Sequence, residues 1–192
     1  MVLGITGRIA TGKSTVSGFI KKIKKNVLIL DIDKLAKSLY SKNPEILIKL
    51  KVIFGNEIFG PEGDLIFESL AEKVFSSKKD LKKLNCLMFP LIRNQVENIL
   101  NKNQDKDYII IDAAVLFDCK LDLLCDYIIL VEAPGKMRET FLKSKGFSNE
   151  KVKLRIKGQH IKIKMENVEF IIKNNGSKKD LLDKVKRILE KI

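Results

Sequence analysis

The chain has no tryptophan, one histidine (His160), three cysteines, and no apolar run near the roughly 18 residues that span a bilayer. Each scarcity removes a class of function. With no tryptophan and no aromatics interleaved among its lysines, it lacks the stacking platform of a single-strand nucleic-acid binder. Cys86, Cys119 and Cys125 show no C-x-x-C spacing, and His160 cannot complete a zinc site with them by spacing alone. No catalytic or metal role is expected of them. Cys86 and Cys125 sit among leucines and read as core, and a reducing cytoplasm fits the set. Met1 leads directly into a predicted strand, so no charged leader with a cleavable apolar segment is expected and no membrane partner is implied. The chain shows no internal repeat and no low-complexity linker.

Acids are also in the minority, with 24 Asp and Glu against 37 Lys and Arg, for a net charge of +13. Such a balance suits nucleic acid, acidic lipid or a polyanionic small substrate. The lysines recur on the polar faces of amphipathic stretches (Lys21, Lys22, Lys24, Lys25; Lys78, Lys79, Lys82, Lys83; Lys178, Lys179, Lys184, Lys186), where a solvated surface is the default. At 192 residues and 45% hydrophobic content, one α/β domain with inserted helical pieces is expected.

Five short apolar runs read as strands: Val2 to Thr6, Val27 to Asp31, Tyr108 to Asp112, Tyr127 to Glu132 and Glu169 to Asn174. Continuous apolarity marks strands covered on both faces, hence a five-stranded parallel sheet in a three-layer α/β fold. Val16, Phe19, Ile20 and Ile23 make one helical stripe, and Leu181, Leu182, Val185, Ile188, Leu189 and Ile192 another. Residues 1–34, 105–134 and 166–192 form the predicted core. The long stretch 35–104 exceeds what a crossover needs and reads as a helical, substrate-covering insert, with breaks at Asn43-Pro44, Gly55, Gly60 to Asp64 and before Pro90. Residues 135–165, charged and poor in large apolar groups, read as a lid.

Between the first strand and the first helix, Gly7-Arg8-Ile9-Ala10-Thr11-Gly12-Lys13-Ser14 fits G-x-x-x-x-G-K-S/T. A glycine-rich turn at a helix N-terminus aims backbone N–H groups at one point, where the helix dipole also favours an anion. A triphosphate fits there, with Lys13 reaching the β- and γ-phosphates and Ser14 holding Mg²⁺. Ligands of open α/β sheets bind past the C-terminal strand ends. Asp31 and Asp33 lie past one such end, and alternation along an extended segment would turn both carboxylates towards the loop. Asp33 is the expected general base, against the alternative that it N-caps a helix starting at Lys34. Asp112 has the position of a Walker-B acid or of a structural carboxylate. Arg138 opens the lid and is read as bridging the transferring phosphoryl group, or else as a surface arginine.

Gly4-Ile5-Thr6-Gly7 running into Gly12-Lys13-Ser14-Thr15-Val16, Asp31-Ile32-Asp33 with Ala36, Pro90-Leu91-Ile92, Leu116-Phe117-Asp118, Arg138, Arg155-Ile156 with Gln159, and Asn174-Asn175-Gly176 follow in order and spacing. In these motifs the chain resembles the dephospho-CoA kinases over nearly its whole length. The resemblance implies a P-loop kinase fold and transfer of the ATP γ-phosphoryl group to the ribose 3′-hydroxyl of dephospho-CoA. It also implies that Gly7 and the loop from Ala10 to Thr15 (Ala10, Thr11, Gly12, Lys13, Ser14, Thr15) cradle ATP with Arg138. Asp33 would take the hydroxyl proton, and Asp33, Lys37, Pro90 and Leu116 would meet the acceptor. The chain departs from the family pattern at Arg8 and Ala10, where glycine is usual, and at Lys37, where arginine is common. Phe67 and Phe89 stand where arginine and histidine are frequent. A monomer or weak homo-oligomer without nucleic acid is expected. The alternatives are a kinase of another small acceptor, such as a nucleoside monophosphate, and a nucleotide-dependent switch or nucleic-acid-binding ATPase.

Overall fold

Runs of valine, isoleucine and leucine become strands because branched side chains pack well on a pleat buried on both faces. The structure, a computed structural model, describes residues 1–159 and 161–192, without the side chain of Lys42; the expectation for His160 falls outside the described residues. In chain order the elements are β1 (Val2–Thr6), α1 (Lys13–Ile23), β2 (Val27–Asp31), α2 (Ile32–Lys42), α3 (Pro44–Phe54), α4 (Phe67–Ser76) and α5 (Lys78–Lys102). They continue with β3 (Tyr108–Asp112), β4 (Tyr127–Glu132), α6 (Gly135–Ser144), α7 (Asn149–Gly158), β5 (Phe170–Lys173) and α8 (Lys178–Leu189). The strands form one parallel sheet in the order β2-β3-β1-β4-β5. The first four match the expected runs. The fifth is shorter at each end, although Glu169 and Asn174 still donate backbone N–H groups to Ile128 and Glu132.

Helices α1 and α8 cover one face, where Val16, Phe19, Ile20, Leu181, Val185 and Leu189 pack on Leu3, Ile5, Ile129 and Val131. On the other face Leu30, Ile109, Ile111 and Ile128 join Leu50, Leu70, Met88, Ile92 and Val96 of α3, α4 and α5. This makes the three layers. Helix α8 starts from a reciprocal cap between Ser177 and Asp180, which satisfies two N–H groups that a helix start leaves without partners.

Two sequence expectations need correction. The break before Pro90 is absent, because α5 runs on through it as a 25-residue helix. Pro90 withholds one N–H from the helical ladder, a local loss. Burial of Met88, Ile92 and Val96 on either side of it outweighs that loss. Cys86 is also no core residue. It faces solvent on α5, while Cys119 is buried and Cys125 partly so. Burial pushes the thiols of Cys119 and Cys125 up to about 12, which keeps them protonated.

Candidate active site

The loop between β1 and α1 needs glycine at Gly7. There φ is +144°, and a Cβ would overlap the Val131 carbonyl oxygen of β4. Gly12 N-caps α1 in the left-handed region, and Ala10 shares that region at φ +61° without being glycine. Side chains of the loop itself and of distant segments hold this backbone in place. Thr11 Oγ1 and Lys13 Nζ both donate to the Arg8 carbonyl, at 2.9 and 3.2 Å. Asn174, just past β5, donates to the Thr11 carbonyl at 2.9 Å. Arg138 Nε donates to the Ile9 carbonyl at 2.8 Å, and the Ile9 N–H donates to Gln159 Oε1 at 2.6 Å.

Beside the loop lies a cleft of about 260 Å³ whose walls come from three strand ends. Lys13 and Ser14 face it from the start of α1, Asp33, Lys34 and Lys37 from α2, and Asp31, Asp112 and Ala114 from the ends of β2 and β3. Roomier grooves of about 500 Å³ beside α3 and about 520 Å³ between α4 and α7 contain neither loop backbone nor paired carboxylates. The floor of the cleft is charged, with Asp112 buried and Lys13 half-buried. Burial pushes the Asp112 carboxyl up, opposed by hydrogen bonding to Ser14, by the Lys13 charge and by Ser17, whose Oγ lies 3.1 Å from Asp112 Oδ2. Burial likewise pushes the Lys13 ammonium down, against the raising charges of Asp112 and Asp33.

The expected alternation of Asp31 and Asp33 along an extended segment is not what occurs. The chain turns into α2 at Ile32, because Asp31 itself caps the helix and accepts from the Lys34 N–H at 3.1 Å. The capping role weighed for Asp33 therefore falls to Asp31. Asp33 sits in the first turn, free of that duty, and both carboxylates still line the cleft. Arg138 is no surface arginine, being 6% exposed and lying on the loop. Its Nη2 is buried without a hydrogen-bond partner among the described residues, and burial followed by the nearby Arg8 charge lowers its pKa. Lys37 lies at the rim with Nζ 6.0 Å from the Phe67 ring centre, and Phe67 meets Tyr40 edge-on at 5.6 Å.

Two expected acceptor contacts do not reach this cleft. Leu116 is fully buried, its side chain turned into the core beneath Gly4, and Pro90 sits on the exposed side of α5. An apolar leucine gains more from the core than from a wet cleft. Sequence alone leaves Asp112 between a Walker-B and a structural role, although an acid closing an apolar strand is its signal. The grips of Gln159 and Asn174 on the loop join residues more than a hundred positions apart and carry no local signal.

Among the described residues no three His, Cys, Asp or Glu side chains gather as a metal cage. None is required for Mg²⁺, which keeps several waters and takes one or two protein oxygens plus phosphates. The Ser14 hydroxyl beside the Asp112 carboxylate supplies such hard oxygen donors. No helix among the described residues is long and apolar enough to cross a membrane.

The family model for dephospho-CoA kinase matches residues 1–180. A dephospho-CoA kinase of Lactobacillus acidophilus is 33% identical over 195 residues, spanning 100% of this chain and 96% of that relative. TT1252 from Thermus thermophilus, known from a crystal structure, superposes with a TM-score of 0.77 at 28% identity, over 100% of this chain and 97% of its own. The dephospho-CoA kinase from Campylobacter jejuni shares the fold with a TM-score of 0.63 at 23% identity, over 99% of this chain and 96% of its own. A match of this extent, on a chain whose P-loop and facing carboxylates meet in one cleft, shows that the protein belongs to the dephospho-CoA kinase family.

Proposed function

We propose that the protein transfers the γ-phosphoryl group of ATP to the ribose 3′-hydroxyl of dephospho-CoA, giving coenzyme A and ADP. The observation that carries this reading is the meeting of Lys13 and an uncapped Asp33 carboxylate across one cleft at the P-loop. In-line transfer forms a bond from the acceptor oxygen to the γ-phosphorus and breaks the bond to the β,γ-bridging oxygen, with the hydroxyl proton passing to Asp33. The loop from Gly7 through Ala10 to Thr15 cradles the triphosphate, and Lys13 meets its developing charge. Arg138 has a buried guanidinium nitrogen without a partner among the described residues, which suits a phosphoryl oxygen. Ser14, with Asp112 beside it, would hold the Mg²⁺ that neutralises triphosphate charge. Lys37 offers a cation to the acceptor's own phosphates at the rim.

In this reading residues 35–104 are the acceptor-side insert and 135–165 the lid of a single kinase domain. The free thiols of Cys86, Cys119 and Cys125 suit a reducing cytoplasm. The test is ATP consumption coupled to product identification, with dephospho-CoA set against a panel of nucleoside monophosphates. Coenzyme A as the sole phosphorylated product is expected. Preferred turnover of a monophosphate would transfer the same machinery to another acceptor.

A further inference from the structure

One polar grip on the loop comes from a residue that the chemistry above does not use. Gln159 follows the last residue of α7, and its Oε1 accepts the Ile9 N–H at 2.6 Å. The carbonyl of that same peptide, on Arg8, holds Thr11 Oγ1 and Lys13 Nζ. A planar trans peptide points its N–H and C=O in opposite directions. Gln159 therefore sets, from outside the loop, the plane whose inner side anchors Lys13.

Gln159 is in turn placed by its helix. Helix α7 is fastened to α4 at two points: Lys151 pairs with Glu68, and the Gly158 backbone lies against Phe75. A Cβ added at Gly158 would come 3.4 Å from the Phe75 ring and 3.6 Å from its carbonyl oxygen. Glu68 and Phe75 are spaced by about two turns on α4, as are Lys151 and Gly158 on α7, so each pair occupies one face of its helix. A shift of α4 thus carries α7, and Gln159 with it.

We propose that Gln159 is a positioning residue that couples the acceptor-side helices to the P-loop, so that acceptor binding at α2–α5 resets the Arg8–Ile9 peptide and the hold on Lys13. This rests on the reading of α2–α5 as the acceptor side. Coupling of this kind is reciprocal, and ATP and acceptor must alter each other's affinity by the same factor.

The experiment is calorimetric binding of a non-hydrolysable ATP analogue with Mg²⁺, with and without dephospho-CoA, to the full chain and to Gln159→Met, Phe75→Ala and Lys151→Ala, each first checked for cooperative melting. In the parent, dephospho-CoA should change analogue affinity by about fivefold. Gln159→Met should weaken the analogue about tenfold without acceptor, the effect of losing one partly buried hydrogen bond, and bring the acceptor effect to none. Phe75→Ala should remove the acceptor effect with a smaller loss of analogue affinity, and Lys151→Ala, at the exposed attachment, should reduce it in part. Parental affinity and coupling in Gln159→Met would overturn the proposal. Parental coupling in both Phe75→Ala and Lys151→Ala would overturn the route through α4. If dephospho-CoA fails to bind the parent, the acceptor reading and the coupling fall together; weaker analogue binding by Gln159→Met without acceptor then still supports the positioning role.

Discussion

The floor and the rim of the cleft are built in opposite ways. On the floor the buried Asp112 and the half-buried Lys13 are tied to Ser17, to each other's field and to a loop gripped from α6, from Gln159 and from Asn174. Asp33, Lys37 and Phe67 at the rim project from α2 and α4, and Phe67 is 44% exposed. Groups held in a low-dielectric floor act strongly and tolerate little change, whereas groups on a wet rim select more than they catalyse. The departures at Arg8 and Ala10 lie in the loop that borders the floor, and those at Lys37 and Phe67 lie on the rim.

Asp33 is the rim residue that should behave like the floor, since the proposed reaction hands it the acceptor's proton. Asp33→Asn is expected to lower kcat about 10³-fold in steady-state assays while ATP-analogue affinity stays within about twofold. Near-parental turnover would remove Asp33 from the chemistry and leave the rim purely selective. Lys13→Met, on the floor, should reduce kcat/KM by about 10² to 10³-fold through lost stabilisation of transition-state charge. Lys37→Ala should raise KM for dephospho-CoA about tenfold with kcat and KM for ATP little changed, the loss of one charge-assisted contact. A matching rise in KM for ATP would erase the distinction between rim and floor.

Asp112 gives the comparison a pH axis. Its folded pKa is raised by burial above the ordinary 3.8, so the folded state pays for its ionisation. Below that ordinary value the carboxyl is protonated whether the chain is folded or not, and no penalty applies. As pH climbs through the raised folded value the penalty develops in full. Melting temperatures taken from pH 3 to 7 should therefore fall for the parent relative to Asp112→Asn as pH rises through roughly the carboxylate range. A constant difference would mean that the floor carries no such burial cost. The smallest effect is expected far from the cleft. Val52, 83% exposed on α3, should accept lysine with a stability change within about 0.5 kcal/mol by denaturant titration.

The sheet was legible because apolar runs flanked by helical stripes have one economical arrangement, and four of its strands begin and end where the runs do. The P-loop was legible because its motif is local. What escaped depended on context. Nothing in Asn-Cys-Leu-Met-Phe-Pro reveals that α5 is long and buried enough to absorb Pro90, nor that Cys86 falls on its wet side. Two acids one residue apart do not declare which of them caps the helix. The motif around Leu116 points to the acceptor, but β1 and β3 draw its side chain into the core. The burial of Arg138 depends on the Ile9 carbonyl far away in the sequence.

The sheet order also bears on how the site comes into being. The P-loop motif is complete by Ser14, yet β1 and β2 never pair with each other, because β3 lies between them with Asp112 beside both Ile5 and Asp31. The floor cannot close until Asp112 arrives, and the loop lacks its grip on Thr11 until Asn174 follows. Contacts of such long sequence separation form slowly. A nascent chain that has emerged only through α4 carries the whole phosphate-binding signature and still lacks a folded place to use it, so competence arrives late.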